Sequence, residues 1–71
     1  MERVSVKSSS LKSIGYDETS KTLEIEFSSG GIYQYYEVPK NVYLGLILAE
    51  SPGKFFHGRV NPTGYQFKKI S

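Results

Sequence analysis

From Lys21 to Ser28 the chain alternates. Leu23, Ile25 and Phe27 fall on one side, and Thr22, Glu24, Glu26 and Ser28 on the other. Successive side chains of a strand point to opposite faces, so this period of two predicts a half-buried β-strand. Ser28-Ser29-Gly30-Gly31 follows as a hairpin turn, because glycine takes positive φ without a Cβ clash. Ile32 to Val38 returns as a tyrosine-rich strand, and Pro39 ends it, since proline has no N–H for a ladder. Upstream, Leu11 to Tyr16 reads as a strand with Ile14 and Tyr16 on one face. Asp17-Glu18-Thr19-Ser20 between them carries side chains that bond their own backbone in turns. The expected sheet is a three-stranded antiparallel meander.

Helical signals come next. Lys40 to Glu50 carries Val42, Tyr43, Leu46, Ile47 and Ala49 as a wide apolar stripe, which Leu44 and Leu48 extend further round. A helix apolar on nearly all sides is either deeply buried or in contact with another chain. Gly45 inside it implies close approach of another element. Ser51-Pro52 then suits an N-cap and a first helical position. A second helix over Lys54 to Val60 is stopped by Asn61-Pro62-Thr63-Gly64. Tyr65 to Ile70 alternates weakly and reads as a terminal strand or an extended arm packed by Tyr65 and Phe67. The fold class is therefore α+β: a three-stranded meander with an additional terminal strand as an option, covered on one face by two short helices. Residues 1–71 are read as one domain.

Composition narrows the function classes. A chain of 71 residues has no cysteine and one histidine, His57. Disulfides, thiolate metal sites and histidine-rich metal sites are excluded. Stability must come from packing, and six tyrosines and four phenylalanines supply large apolar area. The start has no signal-peptide pattern, and the longest apolar run, Val42 to Ala49, is far short of the ~20 residues that span a bilayer. A soluble, cytoplasmic protein without a membrane partner is the expectation. The net charge is +2, but Asp17, Glu18, Glu24, Glu26, Glu37 and Glu50 crowd residues 17–50, whereas Lys54, Arg59, Lys68 and Lys69 stand in residues 51–71 without an acid. Such asymmetry can steer an anionic partner.

The order Ser8-Ser9, Ile14-Gly15-Tyr16-Asp17, Leu23-Glu24-Ile25-Glu26-Phe27, Gly31-Ile32-Tyr33-Gln34-Tyr35, Val38-Pro39 resembles the KTSC domain family. Val42-Tyr43, Ala49-Glu50-Ser51 and Gly53-Lys54-Phe55-Phe56 extend the resemblance over nearly the whole chain, with Tyr33-x-Tyr35 as the hallmark. That family stands at the C-terminus of some lysyl-tRNA synthetases and also as free-standing bacterial and phage proteins. The resemblance implies RNA as a partner through that context. The chain has no synthetase domain, so synthetase activity does not carry over. His57 stands where the family usually has asparagine.

Two candidate surfaces follow. Tyr33 and Tyr35 share a strand face. A two-residue turn at Ser29-Gly30 would set them beside Glu24 and Glu26, opposite Leu23, Ile25 and Phe27. An odd loop would place them among those apolar residues, because a one-residue slip flips the whole set. Exposed, they would make a stacking platform for unpaired bases, but one that neighbouring carboxylates would make repulsive to phosphate. The second surface is basic: Lys54, His57, Arg59, Lys68 and Lys69, with the start of the second helix adding a positive dipole end. Ser8-Ser9-Ser10 is expected to bond local backbone in a turn. His57 has no evident carboxylate orienter and no partnered nucleophile, so no catalytic, cofactor or metal site is expected. The functional expectation is a non-enzymatic binding module for RNA or another nucleic acid. The alternative is a protein-interaction or self-association module using the apolar helix 42–49. Oligomeric state is left open.

Overall fold

The structure is a computed structural model that describes residues 1–71. Five antiparallel strands form one sheet in sequence order. They are β1 (Arg3–Ser5), β2 (Leu11–Asp17), β3 (Thr22–Phe27), β4 (Ile32–Tyr35) and β5 (Phe67–Lys69). Between β4 and β5 run α1 (Lys40–Leu48) and α2 (Pro52–Phe55), the latter continued by a π-helical segment, Phe56–Val60, and a 3-10 turn, Asn61–Thr63. The three expected strands are present as β2, β3 and β4, but β4 ends at Tyr35 rather than Val38, and Glu37 beyond it takes a φ of 55°. The option of a terminal strand is realised as β5, paired with β4 from Tyr33 opposite Lys69 to Tyr35 opposite Phe67. The sheet is two strands wider than the expected meander. β1 went unseen because all three of its residues are exposed, so no buried alternation marks it.

The β3–β4 loop decides which face the tyrosines take. Glu26 pairs with Ile32, Ile25 with Tyr33 and Leu23 with Tyr35. The Phe27 N–H donates to the Gly31 carbonyl, which leaves Ser28, Ser29 and Gly30 as an odd, three-residue loop. Gly30 and Gly31 have φ of 94° and 121°, values that a side chain would oppose. Tyr33 and Tyr35 therefore lie on the same face as Leu23 and Ile25. This is the buried register of the two that the sequence left open.

The core lies between that face and the helices. Leu11, Ile14, Leu23, Ile25 and Tyr35 from the sheet meet Val38, Leu46, Phe56 and Val60. Leu11 and Ile14 are three residues apart, yet both reach this core. A bulge between Leu11 and Ser13 shifts the register of β2 against β3 and turns both inward. Each such side chain contributes about 1.5–3 kcal/mol when fully buried. α1 ends at Leu48 rather than Glu50. Ala49 and Ser51 are extended, and Pro52 disfavours helical backbone at the residue before it. Gly45 admits Phe55: a Cβ there would stand 2.7 Å from the Phe55 Cζ. Leu46 is fully buried, but Leu48 is 80% exposed and Leu44 is also exposed, so α1 is not enclosed within the chain.

The other sheet face is polar. Arg3, Gly15, Glu24, Gln34 and Lys68 lie in register across all five strands. Glu24 is only 5% exposed, beneath an ion pair from Arg3. Gln34 Nε2 donates to Glu24 Oε1 at 2.9 Å. Arg3 Nε donates to Ser13 Oγ at 2.9 Å, and Ser13 Oγ donates to Glu26 Oε1 at 2.9 Å. Burial alone would push the Glu24 carboxyl up; the hydrogen bonds from Gln34 and Arg3, with the Arg3 charge, outweigh it and hold the group below its ordinary value.

Candidate functional site

Two depressions meet at His57, on the side of the molecule away from the glutamates of β3. The first is an open cleft of about 600 Å³ lined by Ser8, Ser9, Ser10, Ser51, Gly53, Lys54, His57 and Gly58. The second is a shallower aromatic hollow of about 380 Å³, formed by Phe27, Tyr33, Tyr35, Phe56 and Phe67 with Ser29, Gly30 and His57. No carboxylate lines either one.

The cleft is built by close backbone approach. The chain after β1 turns at Ser8, whose Oγ accepts from the N–H of Ser10 and of Leu11, both at 3.3 Å. This is the local backbone bonding expected of the serine run. The Ser10 carbonyl accepts from the Ser28 N–H at 2.9 Å, which ties the run to the β3–β4 loop. Gly53 faces the serines: a Cβ there would stand 2.4 Å from Ser10 Oγ and 3.0 Å from Ser8 Oγ. Only glycine lets α2 come this near. Ser51 holds the expected N-cap position of α2, but its side chain makes no capping hydrogen bond. Ser51 lines the cleft. α2 itself is four residues long, so the cleft's donors are side chains rather than a helix dipole.

The aromatic hollow is a continuous edge-packed cluster. Phe27 meets Tyr33 with ring centroids 5.5 Å apart and Phe56 at 5.4 Å, both edge-on. Tyr35 meets Phe56 and Phe67 at 5.6 Å each. Tyr35 is 8% exposed and forms the floor, and burial, then the Tyr33 charge, push its phenol up from its ordinary value. Tyr33 is half-buried, and Phe67 is 60% exposed at the rim. Edge-to-face pairs of this kind add about 0.5–1.5 kcal/mol beyond area burial.

The seven residues singled out from the sequence separate into two groups. Tyr33, Tyr35, Lys54 and His57 line the two depressions. Lys69 pairs with Tyr33 across β4–β5, and its Cε and the Tyr33 ring both lie beside Gly31, so it borders the aromatic hollow. Arg59 and Lys68 do not join them. The Arg59 guanidinium sits 5.9 Å from the Phe55 ring centre, and Lys68 follows Gln34 onto the opposite sheet face. The five basic residues thus do not converge as one patch. Ser8, Ser9 and Ser10, read from the sequence as turn residues, are the members of the cleft that sequence reasoning missed, whereas the helix start at Ser51 was already counted with the basic surface. More than forty positions separate Ser8 from Ser51, and no local pattern announces that they meet.

Comparison with known proteins agrees with this architecture. The KTSC domain matches residues 7–65. An uncharacterized protein of Stutzerimonas stutzeri strain A1501 is 44% identical over 70 residues, 99% of each chain. Lysine–tRNA ligase of Nostoc sp. strain PCC 7120 is 45% identical over 47 residues, which is 66% of this chain and 8% of the ligase. A crystal structure of a KTSC domain protein from Yersinia pestis superposes with a TM-score of 0.93 at 38% identity, covering 99% of this chain and 97% of that one. No helix is long and apolar enough to cross a membrane. With the serine run, the paired tyrosines and the Gly53-Lys54-Phe55-Phe56 stretch all inside the matched region, the chain belongs to the KTSC domain family.

Proposed function

We propose that this protein is a non-enzymatic cytoplasmic module that binds single-stranded nucleic acid, RNA foremost, across the surface joined at His57. The observation that carries the reading is the continuity of an aromatic hollow with a hydroxyl-rich, lysine-bearing cleft, neither containing a carboxylate. Aromatic side chains offer bases a stacking surface, while cations and hydroxyls receive the backbone. The register of β4 supports it further. Glu24 and Glu26 face the other side of the sheet, so they do not repel a phosphate backbone lying over Tyr33 and Phe67. The similarity of this chain to a segment of a lysine–tRNA ligase supports a nucleic-acid partner.

Fluorescence anisotropy with a labelled RNA oligonucleotide tests the proposal. Phe67→Ala removes an exposed ring and should weaken binding by about 1–3 kcal/mol. Lys54→Ala and Lys69→Ala should each lower the salt slope by about 0.7, and Lys68→Ala, on the far face, should not. Absence of binding at low salt would end the proposal.

A second reading rests on a separate observation. Leu44 and Leu48, one turn apart on α1, are exposed. Self-association through them predicts a mass in solution that rises with concentration and returns to that of one chain in Leu48→Lys. A strict monomer across the concentration range eliminates this reading.

A further inference from the structure

We infer that the cleft between the Ser8–Ser10 run and Gly53 is a phosphate site, holding one backbone phosphate of the single strand whose bases lie on the aromatic hollow. This deepens the proposed function and rests on it. The lining is the first argument. Four serines, two glycines, Lys54 and His57 make a wall with no apolar side chain and no acid. Such a wall offers donors and positive charge and repels no anion.

The state of the hydroxyls is the second argument. A serine hydroxyl carries one hydrogen and two lone pairs. Ser8 Oγ uses its lone pairs on the Ser10 and Leu11 N–H groups, which leaves its hydrogen to be donated. Ser51 stands at the cap position and makes no capping bond, so its hydroxyl is also uncommitted to the helix. Both serines line the cleft that Lys54 also lines. Donors left over from local structure, gathered from two distant segments around one lysine, match a tetrahedral oxyanion.

Size and position select the class. The cleft, at about 600 Å³, falls within the 300–1,000 Å³ typical of small-molecule sites, so it admits a phosphate with its sugar rather than a bare ion alone. His57 lines both this cleft and the aromatic hollow. A phosphate group attached to a flat, stackable base fits the pair. A phosphorylated peptide would use the cleft and leave the hollow without a role.

The test uses the full chain with inorganic phosphate and with an RNA oligonucleotide, read by amide chemical shifts and by anisotropy. Inorganic phosphate should shift the amides of Ser8–Ser10, Gly53 and Lys54 saturably. Ser51→Ala and Lys54→Gln lie at exposed positions and should leave the unfolding midpoint in place. Each should weaken both phosphate and RNA binding, Lys54→Gln by about tenfold. Lys68→Ala should leave both unchanged. RNA binding that persists undiminished in Ser51→Ala and Lys54→Gln, with no saturable phosphate shift at the cleft, overturns the inference and leaves the proposed function standing. Phosphate and a phosphoserine peptide binding at the cleft while RNA does not bind overturns the assignment to nucleic acid, and the proposed function with it.

Discussion

Phe56→Ala should lower the free energy of unfolding by about 3–5 kcal/mol. A chain of this length has roughly 4–10 kcal/mol in total, so the variant should stand near the edge of folding. Phe56 is 3% exposed and is the keystone between the sheet and the second helical segment. Its ring meets Phe27 at 5.4 Å, Tyr35 at 5.6 Å and His57 at 5.4 Å, all edge-on. Truncation removes three aromatic contacts and opens a cavity beneath the aromatic hollow. Urea unfolding followed by tyrosine fluorescence and far-ultraviolet circular dichroism measures the loss. Phe56→Leu keeps most of the volume and should cost under about 1.5 kcal/mol. Phe67→Ala removes the same side chain from a rim position that is 60% exposed, and should cost much less than Phe56→Ala. Equal losses at Phe56 and Phe67 would mean that the sheet carries the fold without its helical cover.

The uneven legibility of this chain follows from how each signal is stored. Leu23, Ile25 and Phe27 carry their own period, so β3 was readable from its residues alone. β1 depends on pairing: Arg3, Val4 and Ser5 become a strand only because Gly15, Ile14 and Ser13 lie opposite. The tyrosine register depended on one loop residue more or fewer, and composition does not distinguish the two. Once Ser28, Ser29 and Gly30 form the loop, the objection that Glu24 and Glu26 would repel a nucleic acid no longer applies to that face. The same register makes Tyr35 a floor rather than a platform, and leaves half-buried Tyr33 and exposed Phe67 as the accessible rings. Of the basic residues, Arg59 and Lys68 share only composition with the site. Sequence counts charge along the chain, whereas Phe55 and the pleat of β5 decide where each charge points. The serine cleft was illegible because its two halves, one at Ser8–Ser10 and the other beginning at Ser51, stand about forty positions apart in the chain.

Gly15→Ala should detach β1 and cost about 2–4 kcal/mol. A Cβ at Gly15 would stand 2.6 Å from the Glu2 carbonyl oxygen and 3.0 Å from the Arg3 Cγ. The first of these is backbone, so relief requires β1 itself to move. Arg3 crosses Gly15 to reach Glu24, because the three residues are in register. Moving β1 therefore takes the guanidinium from a carboxylate that is 5% exposed and leaves it with Gln34. The consequence is readable in pH. In the native fold the Glu24 carboxyl is held below its ordinary value, so its contribution to stability is present above the unfolded glutamate range. That contribution is lost as pH falls through the depressed folded value. Glu24→Gln should thus be less stable than the native chain at neutral pH and lose less on acidification. Gly15→Ala takes the Arg3 hydrogen bond and charge from Glu24, which moves the carboxyl back towards its ordinary value and shrinks the same acid-dependent term. Urea midpoints from neutral pH into the acid range, compared among the three chains, measure the effect. Exchange of the Val6 amide, which donates to the Lys12 carbonyl, should quicken in Gly15→Ala. If native and Glu24→Gln chains lose stability in parallel on acidification, the buried row from Arg3 to Gln34 does not govern acid stability.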